Sequence, residues 1–135
     1  MRTTDLPFDP AEPGPFQHLL GKLADLNLPE PTGWHILVAQ YVRPERSAGG
    51  IIMSAKTLQE DAWQNRMGMV LALGPDAYSD PVRHPSGRWV KPGDTIVWKK
   101  LDNAASKFEM NGVQVCLLND DAVIAREIDV LQAFG

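Results

Sequence analysis

The chain has 135 residues, of which 44% are hydrophobic and 22% are charged, and this composition is typical of one globular domain with an appendage. Its formal net charge of -4 gives no indication of the basic face that nucleic-acid binding requires, and no apolar run approaches the roughly 20 residues of a membrane helix. Cys116 is the single cysteine, so no disulfide can form within the chain, and we expect a cytoplasmic protein.

The beginning of the chain is predicted to be an extension of the main domain. Four prolines and several acidic residues among positions 1–15 predict an extended or disordered arm. Apolar residues then recur at helical spacing from Phe16 to Leu26, and Pro29 and Pro31 prevent the helix from continuing. This short helix would either pack on its own domain or bind another molecule, and the sequence leaves both alternatives open.

From Gly33 onward the pattern is that of short β-strands separated by glycine and proline turns, which predicts a small barrel or sandwich. Runs rich in β-branched and aromatic residues predict four strands: Trp34–Val42, Met67–Leu73, Thr95–Trp98 and Val113–Leu118. A last strand is predicted within Ile124–Leu131. The predicted division is therefore an extension, residues 1–32, followed by an all-β domain, residues 33–135.

The connection between the first two predicted strands is unusually long, and connections of that length are usually functional or disordered. Inside it, two glycines that remove local stiffness are followed at once by three apolar residues: Gly49, Gly50, Ile51, Ile52 and Met53. We call these five residues the binding segment. A mobile polar loop gains nothing by exposing such apolar side chains to water, so this pattern predicts that they bind an apolar groove on a partner.

The sequence does not predict catalysis or a metal site. A nucleophile elbow, a phosphate-binding glycine loop and a histidine metal pair are all absent from it. Three histidines fall in a helix, a strand and a proline-rich loop, which implies no shared site: His18, His35 and His84. Asp120–Asp121 with Glu127 could hold a cation, although turn residues are the favoured interpretation.

Four segments, in the correct order, resemble motifs of the GroES-like co-chaperonins, the lids of GroEL-type folding chambers. They are Ser47–Ile52, Arg66–Gly74, Val90–Val97 and Asn119–Ala125. The resemblance extends from about Gly33 to about Glu127. It implies a GroES-like β-barrel with a long mobile loop, and it places a roof-like loop between Pro75 and Trp89.

The resemblance also implies a function. The chain would form a seven-membered ring that caps a GroEL-type chaperonin and encloses substrate proteins. The binding segment would contact the chaperonin, and three residues near the end of the chain would pair with the neighbouring subunit: Ile128, Val130 and Leu131. The chain would need no cofactor because the chaperonin binds the ATP.

The chain departs from the family pattern in three places. It is longer, chiefly through residues 1–32; Met53 replaces the usual branched aliphatic residue; and residues 78–88 do not match the usual roof sequence. These departures resemble those of a virus-encoded member that serves a host chaperonin. The alternative hypothesis is a GroES-like barrel reused as a virion structural or assembly protein, in which Ile51–Met53 would form a fixed interface.

Overall fold

The computed structural model describes residues 1–41, 66–99 and 107–129. Its strands are β1 (His35–Gln40), β2 (Met67–Leu73), β3 (Thr95–Trp98), β4 (Lys107–Met110), β5 (Val113–Asn119) and β6 (Val123–Arg126). They form one antiparallel sheet in the order β4-β5-β1-β2-β3-β6. One α-helix, α1 (Gln17–Leu23), precedes them. The all-β prediction is confirmed, and no helix in these ranges is long and apolar enough to cross a membrane.

The central strand β1 is buried on both sides. Its residues from Ile36 to Gln40 are all buried, and it pairs with β2 on one edge and β5 on the other. Successive side chains of a strand point to opposite faces, so Ile36 and Val38 lie on one face while Leu37 and Ala39 lie on the other. Both faces of the sheet must therefore be covered by other parts of the chain.

The N-terminal segment, residues 1–28, covers one face, and we call the packed side chains there the helix-side core. Its buried members are Leu6, Phe16, Leu19, Leu20, Leu23, Leu28, Leu37, Ala39, Tyr41, Met67, Leu71, Val97, Val113 and Val115. The predicted helix is thus present and packs on its own domain. The sequence had predicted that the residues before the helix form an extended or disordered arm. They instead pack on the sheet, since Thr3–Asp5 forms a 3-10 turn and Leu6 is buried. The division between residues 32 and 33 stays a prediction.

Residues 74–94 cover the other face, where the packed side chains form the loop-side core. Its buried members are Ile36, Val38, Val70, Tyr78, Val90, Ile96, Trp98, Cys116, Leu118, Ala122 and Val123. Residues 74–94 contain turns and no strand. They form a loop at the position where the family resemblance implied a roof-like loop, and Tyr78 and Val90 within it are buried against the sheet.

The hairpin of β4 and β5 fixes the far end of α1. Asn111 and Gly112 connect the two strands with φ values of 49° and 81°, a left-handed pair that suits a tight hairpin turn. The Asn111 side-chain amide donates a hydrogen bond of 2.8 Å to the Lys22 carbonyl in the last turn of α1. The Asn-Gly pair is a local signal for this hairpin that the sequence interpretation missed.

Candidate functional site

The predicted binding segment, Gly49–Met53, lies outside the described residues, and so do Val130 and Leu131. The structure does describe the two chain ends from which residues 42–65 depart, Tyr41 and Arg66. We call these two positions the root of the connecting segment. Its geometry determines where the connection between β1 and β2 leaves the sheet.

The root is held by backbone hydrogen bonds on both sides. The Tyr41 amide donates to the Met67 carbonyl over 2.8 Å, and the Trp98 amide donates to the Arg66 carbonyl over 2.9 Å. Next to the root, Gln40 pairs with Gly68 in the β1–β2 ladder. A Cβ atom at Gly68 would lie 2.3 Å from the Ala39 carbonyl oxygen, so only glycine permits this close approach of the strands.

Aromatic packing adds a third support to the root. The Tyr41 side chain is buried, and its ring meets the Phe16 ring edge-on at a centroid distance of 5.3 Å. His18, in the first turn of α1, also meets the Tyr41 ring edge-on at 6.3 Å. The N-terminal segment therefore packs directly on the last described residue before the connection.

The predicted subunit-contact residue Ile128 lies away from the root. Its amide is 3.4 Å from the Thr95 carbonyl at the start of β3, and its half-buried side chain packs on the helix-side core. The root instead borders Trp98 at the end of β3. Since a strand rises about 3.3 Å per residue, the two sites are about 10 Å apart along β3. The structure does not bring them together.

A buried polar cluster, which the sequence interpretation missed, lies on the loop-side face. Asp120 is 0% exposed. Its carboxylate accepts hydrogen bonds from the Tyr78 amide at 3.0 Å and from Arg83 Nη2 at 2.9 Å, while its carbonyl accepts the Tyr78 hydroxyl at 2.7 Å. Asp121 is half-exposed and lies 3.5 Å from Arg83. Asp120 lies in a 3-10 turn, Asp120–Ala122, as the turn interpretation expected, and it is also a buried anchor for residues 78–84.

His84 also belongs to this cluster, whereas His18 packs on Tyr41 and His35 contacts the Thr32 carbonyl. Its Nε2 atom lies 3.1 Å from the Asp120 carboxylate, close enough for an ion pair but without the alignment of a hydrogen bond. The rings of Tyr78 and Trp89 pack on the His84 ring at centroid distances of 4.9 and 4.7 Å. No local pattern could have revealed the cluster, because Asp120 is 36 or more positions from Tyr78, Arg83 and His84.

Burial controls the protonation of the two weakly acidic groups on this face. It raises the pKa of the Tyr78 hydroxyl, and the nearby carboxylates of Asp120 and Asp121 raise it further. Burial also raises the pKa of the Cys116 thiol to about 11. Both groups are therefore neutral near pH 7 and poorly suited to act as nucleophiles. Among the described residues, no group of three His, Cys, Asp or Glu side chains is placed to hold a metal ion.

Comparison with known proteins relates the sequence of this chain to a family. Residues 29–126 match the family model described as the chaperonin 10 Kd subunit. This chain belongs to the chaperonin 10 family. It is also 32% identical, over 101 residues, to the co-chaperonin GroES of Holospora obtusa, and the alignment covers 75% of this chain and 91% of that relative.

The chaperonin 10 match covers most of the chain but not its beginning. It includes β1, β2 and the whole connection between them, and therefore the predicted binding segment. It excludes residues 1–28, which cover the helix-side face, and it ends before Ile128. The helix-side cover is thus an addition to the part of the chain that the family model matches.

Proposed function

We propose that this chain is a subunit of a ring that caps a GroEL-type chaperonin and encloses substrate proteins, in the cytoplasm. The observation that carries the proposal is the family match across residues 29–126, which spans the connection between β1 and β2. In this proposal the binding segment contacts the chaperonin, and nucleotide binding and ATP hydrolysis belong to the chaperonin. The virus-encoded origin stays a prediction.

The root geometry supports a binding role for the connection. Tyr41 and Arg66 are held on adjacent strands through Met67 and Trp98, so residues 42–65 leave and re-enter the sheet at one place. A connection with both ends fixed keeps a short apolar segment within reach of one place on the sheet. The sheet supplies the rigid frame that such a segment requires.

The energetics favour a ring of weak contacts. Burial of Ile51, Ile52 and Met53 would contribute roughly 1.5–3 kcal/mol each, whereas ordering a connection costs roughly 1–2 kcal/mol per residue. One subunit alone would therefore bind weakly. Several subunits in one ring would bind tightly because each further contact forms at high effective concentration. The ring would still dissociate when the chaperonin changes its conformation.

Ring formation is supported by the outer edge of the sheet. β6 is an outermost strand of the described sheet, and Ile124 within it is 61% exposed. A groove of about 460 Å³ lies beside it, bounded by Trp89, Val90 and the residues of β6. Outermost strands pair readily with other chains, and homo-oligomers usually have closed symmetry. We propose a seven-membered ring in which Ile128, Val130 and Leu131 contact the neighbouring subunit.

The test is a pair of charge substitutions in the binding segment. Ile51→Asp and Ile52→Asp should each abolish capping of a GroEL-type chaperonin in the presence of nucleotide, because an unpaired charge in an apolar groove is costly. Val82→Asp is the matched control, since Val82 is an apolar residue that is 87% exposed outside the binding segment. Normal capping by both isoleucine variants would contradict the assignment of the binding segment.

A further inference from the structure

The N-terminal segment contacts Tyr41, the residue at which β1 leads into the connection of residues 42–65. Phe16 is buried at the start of α1, and its carbonyl accepts hydrogen bonds from the Leu19 and Leu20 amides. Its ring packs edge-on against Tyr41. The position of the Tyr41 ring is therefore coupled to the start of a helix and not to the sheet alone.

The other end of α1 is fixed independently. The Lys22 carbonyl accepts the Asn111 amide from the β4–β5 hairpin, and Leu23 is fully buried in the helix-side core. A seven-residue helix is about 10 Å long. α1 thus links the β4–β5 hairpin at one end to Tyr41 at the other.

We propose that residues 1–28 position the root of the connection, and that Phe16 is a positioning residue for chaperonin binding through its contact with Tyr41. This inference rests on the proposed function. The physical reason is preorganisation: a root with one fixed conformation reduces the conformational freedom that binding must remove and fixes the direction in which the connection leaves the sheet. In a ring, the cost of binding would be reduced in the same way in every subunit.

The test compares two substitutions at opposite ends of α1. Phe16→Leu removes the aromatic contact with Tyr41 and keeps an apolar side chain. Leu23→Val is the matched control, because it also shortens a buried side chain of the helix-side core but lies at the far end of the helix. Amide hydrogen exchange at Tyr41 reports on the root without a chaperonin, and the dissociation constant of the nucleotide-dependent chaperonin complex reports on binding.

We expect Phe16→Leu to accelerate exchange of the Tyr41 amide about 2- to 10-fold more than Leu23→Val does, the range expected for loss of one aromatic pair. It should also weaken the chaperonin complex by at least that factor, because the loss repeats in every subunit. Equal exchange at Tyr41 in the two variants, or equal affinity for the chaperonin, would overturn the inference.

A second variant keeps the test decisive if Phe16→Leu does not fold. Tyr41→Leu alone removes the same contact from the other side, so it should weaken the chaperonin complex about 2- to 10-fold more than Leu23→Val does. Equal affinity of Tyr41→Leu and Leu23→Val for the chaperonin would overturn the positioning role. Failure of the unsubstituted chain to bind a chaperonin would overturn the proposed function, and the positioning role with it, whereas unchanged affinity in Phe16→Leu would overturn the positioning role alone.

Discussion

The two faces of the sheet are covered in opposite ways. The helix-side face is covered by residues 1–28 through apolar contacts from many side chains, among them Leu19 and Leu23. The loop-side face is covered by residues 74–94, whose attachment combines aromatic packing of Tyr78 with hydrogen bonds and an ion pair to one buried residue, Asp120. Many separate apolar contacts stabilise the first cover, whereas the stabilisation of the second depends strongly on the contacts with Asp120.

This difference determines how each cover responds to substitution. When one apolar side chain is truncated, its own burial is lost and a cavity forms, but the other apolar contacts of the core persist. A buried charge is different, because removal of one partner leaves the others desolvated and unpaired. The loop-side cover should therefore be the more sensitive to a single well-chosen substitution.

The largest effect is expected at Asp120. Asp120→Ala leaves Arg83 and the Tyr78 amide without the carboxylate that they bind, and loss of one partner of a buried pair costs about 3–5 kcal/mol. Urea unfolding should show a fall of that size in the free energy of unfolding. The matched control is Asp121→Ala, whose half-exposed carboxylate lies farther from Arg83 and should contribute less than about 1 kcal/mol. Similar losses in the two variants would remove the contrast between the covers.

Truncation of the helix-side cover should have the next largest effect. Leu19→Ala removes a buried leucine from α1 and should cost about 2–4 kcal/mol through lost apolar burial and a cavity. Leu26→Ala provides the comparison, since Leu26 is only half-buried at the edge of the same core and should cost less. If Leu19→Ala unfolds at the same denaturant concentration as the unsubstituted chain, residues 1–28 are not part of the folded core.

Alkaline pH should weaken the loop-side face selectively. The pKa of Cys116 is raised from 9.0 to about 11 by folding, so the folded state favours the neutral thiol. The stabilisation is fully present below pH 9 and is lost as the pH rises through 11, a change of about 3 kcal/mol. Cys116→Val should flatten this part of the pH profile of the unfolding free energy. A profile unchanged by Cys116→Val would contradict the assignment of the effect to this thiol.

The smallest effect is a stabilisation of the helix-side cover. Gly21 lies inside α1 with open space where a Cβ atom would be, so Gly21→Ala should add about 0.5–1 kcal/mol through helix propensity. Gly112→Ala is the opposing control, because its φ of 81° strains any residue with a Cβ. In thermal denaturation, the melting temperature should rise for Gly21→Ala and fall for Gly112→Ala. A lower melting temperature for Gly21→Ala would argue against α1 as a regular helix.

The sequence predicted the strands and the helix well because each carries a local pattern. Alternation and β-branched residues define β1 to β3 and β5, and the apolar spacing from Phe16 to Leu26 defines α1. The β4–β5 hairpin also had a local signal, Asn111-Gly112, which was overlooked. What failed depended on long-range contacts. The burial of Asp120 beside His84 and the folding of residues 1–15 back onto the sheet have no local signature.

One measurement tests both the proposed capping of a chaperonin and the proposed binding segment. Purified protein should be mixed with a GroEL-type chaperonin, with and without nucleotide, and followed by sedimentation velocity at micromolar concentration. The proposed function predicts that a ring of this chain sediments with the chaperonin only when nucleotide is present, and that Ile51→Asp abolishes the complex. A chain that sediments separately with nucleotide present, or whose complex survives Ile51→Asp and Ile52→Asp, would contradict the account.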